Sequence, residues 1–236
     1  DGERLVVQFR PNRAQRRLLA RLWHRNIILK ARQLGFTTLI AILWLDTALF
    51  AKAPIRCGII AQDREAAEAI FRDKVKFAYN NLPESLRLAM PLETENKSEL
   101  VFAHNGASIR VATSMRSGTI HRLHVSEFGK ICAKFPDKAR EVVTGSIPAV
   151  PKSGILVIES TAEGREGEFY DMTERSRALH EKGVALTAKD YRFHFFPWWE
   201  APEYVLDPGS VSMVPIYLKY FNDVEGRIQR RLTEAQ

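Results

Sequence analysis

Short runs of apolar residues alternate along this chain with stretches that have helical periodicity. The runs are rich in Ile, Leu and Val, as strands covered on both faces should be, and they span residues 26–31, 56–62, 123–127 and 154–160. Helices are predicted in the remaining sequence at 37–50, 64–82 and 168–182. The alternation predicts an α/β fold with a mainly parallel central sheet flanked by helices.

A different pattern lies between Glu99 and Val111, where apolar and polar residues alternate around Asn105-Gly106. Asn-Gly between two alternating segments is a strong hairpin signal, so an antiparallel hairpin is predicted as an extension of the sheet. The last predicted elements are an aromatic strand at 191–199, a Pro/Gly-rich stretch at 202–215 and a polar helix that starts near residue 216.

Composition and charge indicate a globular protein with an anionic partner. The 236 residues are enough for one sizeable domain, and 45% hydrophobic with 27% charged residues excludes a disordered or collagen-like chain. A net charge of +7 favours nucleic acid as the partner. The longest apolar run, 39–45, is shorter than the roughly 20 residues that a membrane span needs, so no membrane association is predicted.

One loop has the features of a phosphate-binding site. The segment from Lys30 to Thr38 joins the first predicted strand directly to a helix, where backbone N–H groups and the helix N-terminus can face an anion. Gly35 allows a close approach, and Thr37 and Thr38 offer hydroxyls for Mg²⁺. The segment has the position of a Walker A loop, although Lys30 replaces its first glycine and Phe36 replaces its lysine.

The cation of this loop must then come from another position. Lys30 and Arg32 both precede the turn and can fold back over the β- and γ-phosphates, and Arg32 is the favoured candidate. Gln33, which follows Arg32 in the same loop, is also a predicted nucleotide-binding residue. The alternative is an ordinary strand–helix turn with Arg32 on the surface, since short motifs produce many false matches.

A second motif is the apolar strand that ends at Glu127. Its layout is that of a Walker B strand, whose last carboxylate orients or deprotonates the attacking water, so Glu127 is the predicted catalytic base. Ser126 stands where the strand normally has an Asp that supports Mg²⁺. Metal binding is therefore expected from Thr37, water and Glu127. The alternative is a strand-end Glu in a surface salt bridge.

Two further features occur in the same order. Gln15 lies one helix before the first strand, where its amide can pair with an adenine edge through one donor and one acceptor. Ser160, Thr161 and Ala162 follow the fourth predicted strand, and hydroxyls there can contact the γ-phosphate or the water and so report hydrolysis. Taken alone, this second segment is equally a polar turn.

Together these motifs resemble the large terminase subunit of tailed bacteriophages. The resemblance runs in unbroken order from Gln15 to about Tyr170 and includes Ala-Arg-Gln-Leu-Gly-Phe-Thr-Thr, Ser-Met-Arg-Ser-Gly, Val-Ser-Glu-Phe and Glu-Ser-Thr-Ala-Glu-Gly. It implies a RecA-like P-loop NTPase of the additional-strand, conserved-glutamate type. Residues 1–212 would be the packaging ATPase domain, and 213–236 would begin a linker toward a C-terminal nuclease domain that is absent here.

The resemblance also assigns roles to single residues. Arg32, Gly35, Thr37 and Thr38 fall on the phosphate loop, Gln15 on the adenine-contacting glutamine, Glu127 on the catalytic glutamate, and Ser160, Thr161 and Ala162 on the coupling motif. Arg116, eleven residues before Glu127, matches the arginine finger. Such a finger stabilises transition-state charge and contributes about 10³–10⁵ in rate. The alternative for Arg116 is a loop arginine bound to a carboxylate.

The implied function is hydrolysis of ATP with Mg²⁺ to move double-stranded DNA into a procapsid. The implied partners are DNA, the portal protein, the small terminase subunit and further copies in a ring, with a monomer expected for the isolated fragment. The implied location is the portal vertex in the host cytoplasm. Phe36 and Ser126 leave open a nucleotide-binding ring or scaffold module with little hydrolysis, and a helicase-like translocase is a further alternative.

Overall fold

The computed structural model describes residues 6–116, 118–211 and 213–236. The α-helices are α1 (Arg13–Ala20), α2 (Phe36–Leu49), α3 (Arg64–Ile70), α4 (Phe77–Asn80), α5 (Glu84–Ala89), α6 (Phe128–Lys134), α7 (Pro136–Glu141), α8 (Gly167–Glu181) and α9 (Pro215–Ile228). The strands are β1 (Arg25–Lys30), β2 (Arg56–Ile60), β3 (Leu92–Glu95), β4 (Glu99–Phe102), β5 (Ser108–Ala112), β6 (Arg122–Ser126), β7 (Ile155–Ser160) and β8 (Tyr191–Phe196).

The strands form one sheet in the order β3-β4-β5-β2-β6-β7-β1-β8. The neighbours β5-β2, β2-β6, β6-β7 and β7-β1 are parallel, which confirms the predicted α/β fold with a mainly parallel sheet. Because parallel strands end at the same edge of a sheet, the residues that close β1, β6 and β7 lie side by side.

The central strands are covered on both faces, as their apolar sequences predict. Ile27, Leu123, Val125 and Leu156 are fully buried and belong to one hydrophobic cluster. Helix α2 follows β1 directly, and its Trp44 is fully buried as well. Burying one such side chain contributes about 1.5–3 kcal/mol. The short loop of residues 31–35 keeps the start of α2 close to the end of β1, and this loop is the candidate phosphate site.

The predicted hairpin is confirmed. Strands β4 and β5 pair antiparallel, and Gly106 between them has a φ of +66°, which glycine adopts without steric cost. Asn105 Nδ2 donates to the carbonyl oxygens of Ala48, at 2.8 Å, and Ala51, at 3.0 Å. The turn is thereby bound to the end of α2. Strand β3, which pairs with β4 on the outer side, was not among the elements predicted from the sequence.

Two predicted elements differ in detail from the structure. The helix predicted at 64–82 is interrupted between α3 and α4 by a π-helical segment, Phe71–Lys76. The predicted aromatic strand 191–199 ends at Phe196, because Pro197 has no N–H to donate and Trp198–Glu200 forms a 3₁₀ turn.

The chain divides into two compact units, residues 1–195 and 196–236. The predicted division into an ATPase domain, 1–212, and the start of a linker, 213–236, stays a prediction. Across the described ranges, no helix combines the length and the apolar character that crossing a membrane requires.

Candidate functional site

The loop between β1 and α2, residues 31–35, has the backbone geometry of an anion site. Gly35 caps α2 with a φ of +70°, and Gln33 also has a positive φ, of 55°. The N–H of Leu39 donates to the Gly35 carbonyl at 3.0 Å and closes the first turn of α2. The N–H groups of Thr37 and Thr38, which precede it, have no acceptor within the helix. They can face an anion at the positive end of the helix dipole.

Gln15 lies against this loop and braces it. Its Nε2 donates to the carbonyl oxygen of Gly35 at 2.8 Å, and its Oε1 accepts from the backbone N–H of Asn12 at 2.9 Å. Asn12 Nδ2 in turn donates to the Leu34 carbonyl at 3.2 Å. The predicted contact of Gln15 with adenine stays a prediction, and both ends of its amide already have a partner within the chain.

The side chains at the start of α2 point in different directions. Phe36, at the position of the usual lysine, is 1% exposed and packs in the core, so it offers only its backbone to a ligand. Thr38 lines an apolar pocket with Ile42 and Leu45. The Thr37 hydroxyl instead lies 3.4 Å from Ser126 Oγ at the end of β6. Of the two threonines, Thr37 is thus the one that faces the strand ends.

Lys30, the last residue of β1, bridges two carboxylates. Its ammonium nitrogen is 3.0 Å from Glu127 Oε1 and 3.1 Å from Glu159 Oε2. The Lys30 side chain is 6% exposed, and that of Glu159 is fully buried. Lys130 Nζ approaches the other oxygen of Glu127 at 3.4 Å. The structure therefore brings the predicted candidates Lys30 and Glu127 into contact.

Glu159 lies at the centre of this cluster, and the sequence analysis gave it no role. Its Oε1 accepts hydrogen bonds from Ser126 Oγ at 2.9 Å and from Thr37 Oγ1 at 3.3 Å. His124 Nε2, also fully buried, lies 3.4 Å from the same oxygen. A charged residue directly after the apolar run Ile-Leu-Val-Ile was the signal in the sequence that could have identified it.

The charges of the cluster stabilise one another. Burial alone would raise the pKa of Glu159, but the adjacent His124 side chain and the Lys30 ammonium outweigh it and lower that pKa to about 2. Burial likewise disfavours the charged form of Lys30, yet Glu159 and Glu127 together raise its pKa above the ordinary value. Both groups are accordingly ionised at neutral pH.

Glu127 has an unusual backbone conformation. It caps α6 in the left-handed region, with φ 53° and ψ 45°, which costs a non-glycine residue of the order of 1 kcal/mol. Gln33, in the β1–α2 loop, is in the same region. Strain of this kind persists only where the surrounding structure imposes it, and here the Glu127 carboxylate is in contact with Lys30.

The predicted coupling segment packs on the helix that follows Glu127. Ser160 is fully buried at the end of β7, Thr161 is 8% exposed, and Ala162 is exposed. A Cβ atom on Gly129 would lie 2.8 Å from Ser160 Oγ and 3.1 Å from the Thr161 carbonyl oxygen. Only a glycine leaves room for this approach. A displacement at 160–162 would therefore push directly on α6.

The two predicted arginines lie outside the cluster. Arg32 is exposed on the β1–α2 loop. Arg116 is 69% exposed and forms an ion pair with Glu141, at the end of α7, and so matches the alternative given for it above. It lines a pocket of about 430 Å³ that also includes Arg56 and Arg110. Ser117, beside it in the resemblance, lies outside the described residues.

The donor set fits a hard cation held together with phosphate. In the described part of the chain, no group of three or more His, Cys, Asp and Glu side chains could hold a metal ion alone. The oxygens of Thr37, Ser126, Glu127 and Glu159 are, however, the ligand type that Mg²⁺ prefers, and Mg²⁺ commonly uses one or two protein groups plus substrate phosphates. The residues present are thus compatible with a Mg²⁺–nucleotide complex.

Several solved structures have a fold similar to that of this chain. No protein-family model and no curated protein sequence matches the chain. A mutant of the large terminase ATPase domain of Thermus phage P74-26 matches with a TM-score of 0.58 and 18% identity, over 93% of this chain and 92% of that one. Another structure of that domain gives a TM-score of 0.57 with 15% identity, over 92% of this chain and 88% of that one.

The large terminase of bacteriophage HK97 matches with a TM-score of 0.58 and 16% identity, over 97% of this chain and 51% of that one. The chain thus spans about half the length of the HK97 protein. At these identities the likeness establishes the fold. These structural neighbours are the ATPase domain of one phage large terminase and the large terminase of another phage, and the chain shares its α/β fold with them.

Proposed function

We propose that this chain is the ATPase domain of a phage DNA-packaging motor, which couples hydrolysis of ATP to translocation of double-stranded DNA into a procapsid. The observation that carries the proposal is the largely buried cluster of Lys30, Thr37, Ser126, Glu127 and Glu159. It lies where β1, β6 and β7 end, next to the N-terminus of α2. Ligands of open α/β sheets bind at the carboxyl ends of the strands.

Each residue of the cluster has a chemical task in this proposal. The N–H groups at the start of α2 bind the phosphates, and Lys30, with Arg32, neutralises their charge. Glu127 accepts a proton from the attacking water and is oriented by Lys30. Mg²⁺ would be held by Thr37 and Glu127 and would neutralise charge on the phosphates. Thr161 and Ser160 relay changes at the phosphate to α6 through their contact with Gly129.

The proposed partners follow from the likeness to terminases and from the charge of the chain. They are DNA, a portal protein, a small terminase subunit and further copies of the chain, at the portal vertex of a phage procapsid. The +7 net charge supports an anionic polymer among them.

A second candidate function is a nucleotide-binding ring or scaffold module with little hydrolysis. Two observations favour it, namely the burial of Phe36 in place of the usual lysine and the serine at position 126. Such a module would bind ATP in the same pocket without hydrolysing it.

Steady-state ATP hydrolysis distinguishes the two functions. The purified domain would be assayed alone, with DNA and with portal, beside Glu127→Gln, Arg32→Ala and the control Glu181→Gln, whose carboxylate is exposed on α8. The motor proposal expects turnover that the Glu127 variant reduces by about 10²–10⁴-fold, as expected for loss of a general base, while the control stays at the wild-type rate. Nucleotide binding without turnover under every condition would favour the scaffold module.

A further inference from the structure

A carboxylate lies beside Ser126 although the sequence of β6 does not supply one. In P-loop NTPases the Walker B aspartate and the loop hydroxyl hold Mg²⁺ together. In this chain the aspartate position is Ser126, and Ser126 Oγ donates to Glu159 Oε1 at 2.9 Å. The same carboxylate oxygen accepts from Thr37 Oγ1 at 3.3 Å. One carboxylate oxygen thus contacts both the loop hydroxyl and the residue that replaces the aspartate.

The strand register explains how Glu159 reaches this place. Strands β6 and β7 are adjacent and parallel, and Ser126 is the Cα partner of Glu159. Partner residues of neighbouring strands point to the same face of the sheet. The side chain of Glu159 is longer than that of aspartate by one methylene, and the short side chain of Ser126 leaves space beside β6. The carboxylate of β7 therefore comes to lie over the end of β6.

The hydrogen bond from Thr37 to Glu159 affects how the Thr37 hydroxyl can bind a cation. A threonine hydroxyl has one proton to donate and two lone pairs. A carboxylate only accepts, so in its contact with Glu159 the Thr37 hydroxyl donates its proton and keeps its lone pairs for a cation. Carboxylates that hydrogen-bond a metal-binding group fix its orientation and strengthen it as a ligand, and their removal typically weakens metal binding by about 10–100-fold.

We propose that Glu159 is a positioning residue that takes over the task of the Walker B aspartate in this chain, by holding the Thr37 hydroxyl as a ligand for the Mg²⁺ that accompanies nucleotide. The inference rests on the proposed function. A purely structural role, in which Glu159 is only the counter-ion of Lys30, predicts a different outcome. In that case removal of the Glu159 charge lowers stability but leaves the effect of Mg²⁺ on nucleotide affinity intact.

The test measures how Mg²⁺ changes nucleotide binding. A fluorescent N-methylanthraniloyl-ADP would be titrated into wild type and Glu159→Gln, in excess MgCl₂ and in excess EDTA, and the Mg²⁺ concentration for half-maximal tightening would be determined. The proposal expects the wild type to bind more tightly in MgCl₂. Glu159→Gln should need about 10–100-fold more Mg²⁺ while its affinity in EDTA stays near that of the wild type. Glu181→Gln, the same change on exposed α8, should leave both values unchanged.

A compensating variant makes the test specific. Ser126→Asp combined with Glu159→Gln places a carboxylate at the end of β6. The proposal expects this double variant to bring the Mg²⁺ concentration for half-maximal tightening back close to that of the wild type. If Glu159→Gln fails to fold, this double variant alone decides the question. A double variant that does not fold, or that folds without Mg²⁺ dependence, contradicts the proposal, because a carboxylate at the end of β6 would then not replace the one on β7.

The outcomes also separate this inference from the proposed function. If the wild type binds the nucleotide in neither buffer, the proposed function fails and the inference with it. If Mg²⁺ tightens nucleotide binding to the wild type and folded Glu159→Gln needs no more Mg²⁺ than the wild type for half-maximal tightening, only the inference is overturned. A wild type that binds equally well with and without Mg²⁺ also overturns the inference and leaves the nucleotide site itself intact.

Discussion

Two ion pairs of this molecule have opposite surroundings. Lys30 pairs with Glu127 and Glu159 at the carboxyl ends of the strands, where Lys30 is 6% and Glu159 0% exposed. Arg116 pairs with Glu141 on the surface and is itself 69% exposed. Removing one partner of a buried pair leaves an uncompensated charge in a medium of low polarity, whereas an exposed partner is simply hydrated. The first pair is therefore fixed, and the second can open at little cost.

This difference agrees with the role proposed for Lys30 and with the finger role that the resemblance to terminases implies for Arg116. A group that holds a catalytic carboxylate in place needs a rigid setting. An arginine that reaches a phosphate of its own or a neighbouring subunit must leave its partner first, and Arg116 loses only a hydrated contact when it does so. The comparison yields four predictions, ordered by their expected effect on stability.

The largest effect is expected for Lys30→Met. The change leaves the buried Glu159 without its counter-ion, so the free energy of unfolding should fall by about 3–5 kcal/mol, measured by urea denaturation. Lys130→Met is the matched control, because Lys130 contacts Glu127 from a 30% exposed position and should cost less than about 1 kcal/mol. Equal losses in the two variants would refute the distinction between a buried and an exposed setting.

The next prediction concerns acid. The pKa of Glu159 is about 2 in the folded protein and near 4.5 ordinarily, so its ionised form stabilises the fold fully above the ordinary value. That contribution is lost as the pH falls from 4.5 toward 2. The stability difference between wild type and Glu159→Gln should accordingly shrink over this range in urea titrations. A difference that stays constant with pH would show that the charge of Glu159 does not stabilise the fold.

A smaller effect is expected for Gly129→Ala in α6. The new methyl group meets Ser160 and the Thr161 carbonyl, and we expect a loss of about 1–3 kcal/mol in thermal or urea unfolding. Gly226→Ala in α9 is the control, since nothing lies within 4 Å of its Cβ position and alanine favours a helix. Adding Ser160→Ala to Gly129→Ala should restore part of the loss. No restoration would argue against this contact.

The smallest effect on stability is expected for Arg116→Ala. The unfolding midpoint should be indistinguishable from that of the wild type, while ATP hydrolysis falls by about 10³–10⁵-fold if the residue acts as a finger. Mixing Arg116→Ala with Glu127→Gln subunits should recover some hydrolysis if the arginine acts across an interface. A stable variant with the wild-type rate would remove Arg116 from the site.

The sequence predicted the elements that carry the site better than it predicted the contacts within it. The four parallel strands, the loop before α2 and Glu127 at a strand end follow from local apolar runs and polar residues at their ends. The sequence pattern does not show which strands are neighbours, so it did not indicate that β7 lies between β6 and β1. Without that order, the convergence of Glu159 with Ser126 and Thr37 was not apparent.

The two candidate cations illustrate the same limit. Arg32 and Lys30 both precede the turn, and sequence alone favoured the arginine. In the structure Lys30 is the last residue of β1, so its side chain reaches the ends of β6 and β7, whereas Arg32 is exposed on the loop. A difference of two positions at the end of a strand separates a buried side chain from an exposed one.

The claim that the cluster around Lys30 is an ATP site is tested most directly by a crystal structure with a non-hydrolysable ATP analogue and Mg²⁺. The account predicts phosphates at the N-terminus of α2, with the terminal phosphate within reach of Lys30 and the metal beside Thr37. An analogue bound elsewhere, or a cluster unchanged at saturating analogue, would contradict it.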